Sequence, residues 1–389
     1  MKVFITATGV NSAIGTNVNE CLLALTQERS GLGSCDIFDY KSLHVGRVNQ
    51  SNDELRERIG LPNENWPRTA LLGLLAAQEA FKGNSDSSVR KGFINGTTTG
   101  GMDLTEQHYG RPEEARKADG WKVVATHDLG VVTALIAQQL SSFDYINTIS
   151  TACSSSANSI MLGARMIRNG SLDQVLAGGC DALTSFTING FKSLMIYAND
   201  VCRPFDQHRL GLNLGEGAGY LLLENEKSLA SSGNTALAEL TGWANTNDAF
   251  HQTGTSEEGT GAKLAMIRAL EKSGLAAEKI DYLNAHGTAT NNNDKSEMAA
   301  IDAVFDHVDF SSTKGFTGHA LGASGGIEAV FSMLSLQYQQ AWVNKNLNES
   351  LNEGKIDPLG SDLPKKINHV MSNSFGFGGN STSLIFTKN

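Results

Sequence analysis

From end to end the chain repeats one local grammar: a short apolar run of strand character, a glycine-marked turn, then an apolar 3.6-residue period. Lys2 to Ala7 reads as a strand. Thr8-Gly9 with Asn11-Ser12 then turns into a helix carrying Cys21, Leu22, Leu23 and Leu25. Residues 53–82 are predicted helical, GFING (92–96) is a short strand ending in glycine, and GVVTALIAQQL (130–140) is again a helix. QVLAGGCDALT (174–184) reads as a strand ending at glycines, and GYLLLENEKSLA (219–230) as a buried strand running into a helix. Further on come a helix at 261–273, the strand YLNAH, a helix at 294–305, a long helix near 325–340 and a last strand at SLIF. Such alternation predicts a layered α/β fold with mostly parallel sheets. The most linker-like stretch is Ser231-Ser232-Gly233-Asn234-Thr235, and no short repeat or heptad interrupts the pattern.

Bulk properties narrow the function. A length of 389 residues suggests two or three domain-sized units, and hydrophobic residues at 40% with only 6 prolines suit a compact chain. A net charge of -10 excludes general nucleic-acid binding, which needs clustered Lys and Arg, and requires any acidic partner to meet a local basic patch. The opening MKVFITATGV lacks the pattern of a secretory signal, and no segment of about 18 uninterrupted apolar residues follows, so a soluble cytoplasmic protein without a membrane span is expected. Five cysteines, with no CxxC, favour neither a disulfide frame nor a zinc site.

One cysteine stands apart. In STACSSSANSI, Cys153 follows the strand-like Tyr145–Thr151, and Ala157, Ile160, Met161, Ala164 and Ile167 then keep helical spacing until Asn169-Gly170. A thiol at a strand-to-helix elbow meets unpaired N–H groups and the positive end of the helix dipole, which favour a thiolate; a buried structural cysteine is the alternative. Two histidines, His286 in YLNAHGTATNNND and His319 in KGFTGHALGASGG, each follow a strand and sit among glycines and small hydroxyl residues, where a backbone can approach a ligand closely. No metal-ligand spacing accompanies them. Near the C-terminus, Asn373 to Ser381 (NSFGFGGNS) is a dense glycine turn of the kind that presents N–H groups to an anion.

Taken in order, these segments resemble the β-ketoacyl-acyl carrier protein synthases, condensing enzymes of the thiolase superfamily. Supporting stretches are FITATGVNSAIG, VLAGGCDAL, CRPFDQHRLGLNLGEGAGYLLLE, HGTATNNNDKSE and KGFTGHALGASGGIEA, so the resemblance covers nearly the whole chain. It implies an α/β thiolase-like fold of two topologically similar halves in αβαβα layers, here 1–234 with the cysteine and 235–389 with both histidines. It also implies that Cys153 takes an acyl group from a carrier thioester, while His286 and His319 assist malonyl decarboxylation and carbon–carbon bond formation. Lys314 and Glu328 would hold His319 and its surroundings in place. The backbone N–H groups of Cys153 and Phe377 would form an oxyanion hole, and Gly376, Gly378, Thr99 and Phe191 would complete the substrate site. No cofactor and no metal are implied. The partners are an acidic acyl carrier protein, with Lys192 and Arg68 as candidate docking cations, and a second subunit, as a homodimer or beside a ketosynthase-like partner.

The sequence departs from the family at Leu210, where Asp is common after Arg209, at Ala7, and at Asn380-Ser381. Thr99 in GTTTGG stands where the family often has a bulky aliphatic side chain at the floor of the acyl pocket. An unpaired hydroxyl there would disfavour a saturated tail and favour an unsaturated or aryl-bearing chain; a hydroxyl bonded to nearby backbone would leave the pocket ordinary. The competing readings are a degradative thiolase, a starter-type enzyme using Cys-His-Asn, a non-catalytic chain-length partner and an unrelated Cys-His hydrolase. A thiolase needs a second late cysteine, and none follows Cys202; a starter-type enzyme needs Asn at His319. A silent partner lacks the nucleophile, and the hydrolase does not account for the flanking motifs.

Overall fold

The structure is a computed structural model that describes residues 1–35, 40, 43–62, 66–81, 86–114, 116, 124–351 and 354–389. Strand β1 is Phe4–Asn11, followed by the small hairpin β2 (Leu32–Ser34) and β3 (His44–Gly46), then β4 (Lys91–Gly96), β5 (Tyr145–Ile149), β6 (Gln174–Asp181) and β7 (Gly217–Glu224). The later strands are β8 (Ala238–Asn247), β9 (Tyr282–Asn284), β10 (Asp309–Ser311), the small pair β11 (Gln340–Ala341) and β12 (Leu363–Pro364), β13 (His369–Gly376) and β14 (Asn380–Lys388).

Ten of these strands join in the order β10-β9-β13-β14-β8-β1-β7-β6-β4-β5. Outward from the β8–β1 junction the two sides are alike. β1, β7 and β6 are antiparallel neighbours and β6, β4 and β5 parallel ones. On the other side β8, β14 and β13 are antiparallel and β13, β9 and β10 parallel. The two halves therefore match strand for strand, as expected. The expectation of mostly parallel sheets is corrected: the central strands are antiparallel, because the chain returns through β7 and β14 next to β1 and β8, and only the outer strands follow crossover helices.

Helices form the remaining layers. The Arg68–Ala80 helix covers β1, β6 and β7 from outside, and the Thr260–Ser273 helix covers β8 and β14. Between the two sheet halves lie the Ser155–Arg168 and Ser324–Tyr338 helices, which touch each other and contribute to one shared core with Ile5, Leu221, Tyr282 and Phe386. The second of them is buried from Ser324 to Leu336, which is why its sequence shows so little amphipathic pattern.

Three local readings change. Thr8-Gly9 lies inside β1, not in a turn; a side chain at position 9 would meet the Ala76 carbonyl oxygen at 2.1 Å, so glycine there serves helix-on-strand packing. The helix expected over 53–82 is two, Asn52–Ile59 and Arg68–Ala80, separated by the left-handed Gly60 and by Pro62 and Pro67; residues 63–65 and 82 lie outside the described residues. Ser231 and Ser232 are helical, in Glu226–Ser232, and Gly233 caps that helix. No helix among the described residues is long and apolar enough to cross a membrane.

Candidate active site

β5 ends at Ile149 and the Ser155–Arg168 helix begins at Ser155, with five residues between them, so the chain must reverse within an elbow that contains Cys153. Ala152 takes a left-handed φ of +52°, a strained setting for a residue with a Cβ, and the surrounding side chains hold it. They do so with neutral groups. Asn380 Oδ1 accepts hydrogen bonds from Ser154 Oγ at 2.6 Å, Asn158 Nδ2 at 3.0 Å and Asn245 Nδ2 at 2.7 Å. Asn158 Nδ2 also donates to Thr151 Oγ1 at 2.8 Å. Asn380 thus ties the cysteine helix to β14 and β8, and its role could not be read from its place in a glycine turn. Gly376 packs onto the elbow so closely that a side chain there would stand 3.1 Å from the Cys153 amide nitrogen and 2.9 Å from the Thr151 carbonyl oxygen.

His286 follows β9 and His319 precedes the central Ser324–Tyr338 helix; both are buried. Their rings meet edge to face with centroids 5.3 Å apart. Left-handed residues again stand close by, Ala289 at φ +66° and Leu321 at φ +50°. Around His286 the support is charged. Glu297 accepts the N–H groups of His286 and Gly287, both at 2.8 Å, while Asp294 accepts those of Thr288 and Ala289 at 3.0 and 3.1 Å and lies 3.8 Å from Arg209. The Lys314 ammonium donates to the His286 carbonyl at 2.5 Å, to His286 Nδ1 at 3.3 Å and to the Glu328 carboxylate. Lys314 and Glu328 therefore support His286, where support of His319 was expected; the chain places Lys314 under the β9 end rather than beside its own loop.

Tautomers follow from these contacts. An ammonium only donates, so His286 Nδ1 accepts and the ring proton sits on Nε2. His319 Nδ1 accepts the Leu321 N–H at 3.2 Å and lies 2.9 Å from Ser324 Oγ, which leaves Nε2 to carry its proton too. Burial, with Lys314 next, holds both imidazoles well below their ordinary pKa, and for His286 the neighbouring His319 adds to this; both rings are neutral. Burial pushes Glu328 up to about 7 against the pull of Lys314, and Glu297 up to about 7 against its two backbone donors. The same cause pushes the Cys153 thiol up to about 12, with Lys314 opposing and Asp181 and Glu328 adding to the rise. Burial thus opposes the thiolate that the helix end favours.

Cys153, His286 and His319 line one cavity of about 230 Å³ with Phe191, Phe375, Gly376 and Phe377. Phe191 stacks on Phe377 with centroids 5.7 Å apart. Two expected lining residues are elsewhere. Gly378 is exposed at φ +82°, donates its N–H to the Gln252 carbonyl at 2.7 Å, and shapes the turn without facing the cavity. Thr99 is buried behind it, and its hydroxyl donates to Asp181 Oδ1 at 2.9 Å, so the unpaired hydroxyl that would have disfavoured a saturated chain is absent. Asp181, the last residue of β6, also accepts from Thr97, Thr98 and the Gly322 N–H at 2.7 Å. It fastens the GTTTGG loop to the turn after His319. Only its place in the GGCDAL motif hinted at this. Arg68, expected as a docking cation, is buried and paired with Glu216 at 2.6 Å, with further bonds to Val48, Gln50 and Asn52. Lys192 is exposed, its ammonium 5.1 Å from the Tyr40 ring centroid. All five cysteines are free and buried, and the described residues hold no cluster suited to a metal.

A thiol and two neutral imidazoles on one cavity, at the meeting point of two matching α/β halves, define a carbon–carbon bond-forming acyltransferase of thiolase-like fold. The profile of the beta-ketoacyl synthase N-terminal domain matches residues 1–228 and that of the C-terminal domain residues 237–348, and the chain belongs to this family. It is similar to 3-oxoacyl-[acyl-carrier-protein] synthase 2 of Staphylococcus aureus (strain MRSA252), 31% identical over 407 residues spanning 100% of this chain and 98% of that one. The synthase 2 of Vibrio cholerae (strain ATCC 39315 / El Tor Inaba N16961) is 32% identical over 415 residues, spanning 100% and 99%. Among solved structures, the ishigamide ketosynthase/chain length factor superposes with a TM-score of 0.91 at 28% identity, covering 100% of this chain and 99% of that one. A ketosynthase in complex with its chain length factor from Xenorhabdus doucetiae gives 0.86 at 31% identity, covering 100% and 98%.

Proposed function

We propose that the protein is a ketosynthase that joins an acyl group, stored as a thioester on Cys153, to the two-carbon unit of malonyl-acyl carrier protein, with His286 and His319 acting on the malonyl group. The observation that carries this reading is the pair of Nε2–H donors on the cavity that also holds the thiol. In the first step the Cys153 sulfur attacks the carrier thioester; a Cys153 thioester forms, and the carrier thiol leaves with the proton. The developing oxyanion would meet the N–H groups of Cys153 and Phe377, the latter next to Gly376, which packs on the cysteine elbow. In the second step the malonyl carboxylate leaves as CO₂ and its electron pair becomes an enolate, whose oxygen takes hydrogen bonds from the two imidazoles. A neutral donor suits this task because it needs no counter-charge; losing one such donor costs about 3 kcal/mol of barrier. The carbanion then attacks the Cys153 thioester and expels the Cys153 sulfur as a thiolate, giving 3-oxoacyl-carrier, and the thiolate takes a proton from water to restore the thiol.

The division into halves at 234/235 falls between β7 and β8, which the strand order supports. A second subunit fits the outer edge of β5: that strand is unpaired on one side and leaves Ile146 48% exposed, and covering it with another chain would remove an open sheet edge. Because the Thr99 hydroxyl is satisfied, nothing at that position selects against a saturated chain. Incubating the protein with acyl-carrier and malonyl-carrier and weighing the products tests the reaction. A 3-oxoacyl-carrier is expected; free acid alone would show a hydrolase, and malonyl decarboxylation alone a partner subunit without condensing activity.

A further inference from the structure

A serine at the start of a helix ordinarily turns its oxygen towards the open N–H groups of the first turn. Ser324, the first residue of the buried Ser324–Tyr338 helix, does otherwise. That helix has no side-chain cap, and among the described residues the hydroxyl of Ser324 has one hydrogen-bond partner, His319 Nδ1 at 2.9 Å. The Leu321 N–H, which can only donate, reaches the same nitrogen at 3.2 Å. Nδ1 is therefore an acceptor, and the hydroxyl is the shorter of its two donors.

The place of this serine is fixed from the cysteine side. The Gly326 N–H, two residues on, donates to Ser156 Oγ at 2.7 Å, and Ser156 belongs to the helix that follows Cys153. The backbone of His319 is held separately, its N–H on the Asn213 carbonyl at 2.8 Å and its carbonyl under the Gly215 N–H at 2.9 Å. Neither of those bonds sets the rotation of the ring, which is left to the two donors on Nδ1. The charged and titratable groups around it are Lys314, held by Glu328, then His286 edge-on to the ring and Cys153 on the same cavity. Asp181 holds the Gly322 N–H behind the turn, and Glu216, beside Gly215, is taken up by Arg68. Among the described residues none of these bonds to His319 Nδ1.

We infer that Ser324 is a positioning residue for malonyl decarboxylation: its hydroxyl holds the His319 ring with the proton on Nε2 and aims that N–H at the enolate oxygen, as the Lys314 ammonium does for His286. The inference rests on the ketosynthase reading above, which gives the two imidazoles their task. Protonating His319 would put a hydrogen on Nδ1, against the Leu321 N–H, which cannot turn away, and against the hydroxyl, which would lose its acceptor. Both donors thus favour the neutral ring, and removing the hydroxyl weakens that preference while leaving Lys314 and His286 as they are.

The test follows CO₂ release from malonyl-carrier across pH, beside acyl transfer from acyl-carrier to Cys153, read as the mass of the acylated protein. For Ser324→Ala, kcat for CO₂ release at about pH 7 should fall about threefold to tenfold while KM stays within about twofold. The acid limb of its pH profile should move up by about half a pH unit or more, because the neutral ring has lost a donor that the charged ring cannot use. Acyl transfer, which does not call on the imidazole donors, should fall by less than about twofold. Ser324→Thr keeps the hydroxyl and should keep the acid limb in its wild-type place. Wild-type CO₂ release with an unmoved limb in Ser324→Ala would overturn the inference, as would equal losses of CO₂ release and acyl transfer, or a folded Ser324→Thr that matches the Ala variant. A wild type that releases no CO₂ from malonyl-carrier would instead overturn the ketosynthase reading itself.

Discussion

The two halves of the molecule share one strand order yet hold their reactive groups by opposite means. On the N-terminal side, the Cys153 elbow is fastened by uncharged side chains, with Asn380 accepting three hydrogen bonds and Asn158 completing the knot. On the C-terminal side, His286 rests on a buried Lys314–Glu328 pair and its loop on Glu297, Asp294 and Arg209. The difference follows from what each group must do. A thiol that attacks and is released needs a fixed backbone around it; an imidazole that must present one chosen N–H needs a donor on the other ring nitrogen, which the Lys314 ammonium supplies to His286 and the Leu321 N–H to His319. Asp181 is the charged group on the thiol side, and it faces across to Gly322, so it serves the seam between the halves.

If this contrast is right, the charged support is the more fragile. Glu328→Ala leaves the Lys314 ammonium buried without its partner and should cost about 3–5 kcal/mol of stability, read as a large drop in the denaturant midpoint. Asn380→Ala removes a neutral acceptor and strands donors that are only part-buried, so its cost should be about 1–3 kcal/mol, with acyl transfer to Cys153 slowed more than malonyl decarboxylation. An Asn380 variant less stable than the Glu328 variant would erase the contrast.

A smaller effect sharpens it through pH. Burial raises Glu297 from 4.5 to about 7, so the folded protein binds a proton there that the unfolded chain does not. That contribution is fully present below pH 4.5 and is lost as pH rises through about 7. The buried histidines act in the opposite sense: their folded pKa is depressed, so their share of stability is present above about 6.5 and is lost as pH falls below it. Glu297→Gln should therefore gain on the wild type as pH climbs from about 5 to 8, by at most about 1.4 kcal/mol per pH unit. A difference that stays flat across this range would mean Glu297 is ionised throughout.

The reactive groups were legible in the sequence because each sits in a short local signature: a cysteine between strand and helix periods, and two histidines in glycine-marked turns after strands. Their surroundings were not, because those depend on contacts across hundreds of residues. Nothing near Arg68 announces that Glu216, 148 positions on, neutralises it in the core. Thr99 reads as a pocket hydroxyl until Asp181 is seen to accept it. Lys314 sits in the loop of His319, yet its ammonium reaches His286. The mixed sheet was hidden for the same reason, since strand direction is set by where β7 and β14 return and not by any residue within them.

The division of labour between the halves is read from release of CO₂ from malonyl-carrier, measured for Cys153→Ala, His286→Ala and His319→Ala beside the wild type. Cys153→Ala should still decarboxylate while forming no condensed product, and each histidine variant should lose decarboxylation by about 10²-fold or more. Decarboxylation at the wild-type rate in either histidine variant, or its abolition by Cys153→Ala alone, would show that the labour is not divided in this way.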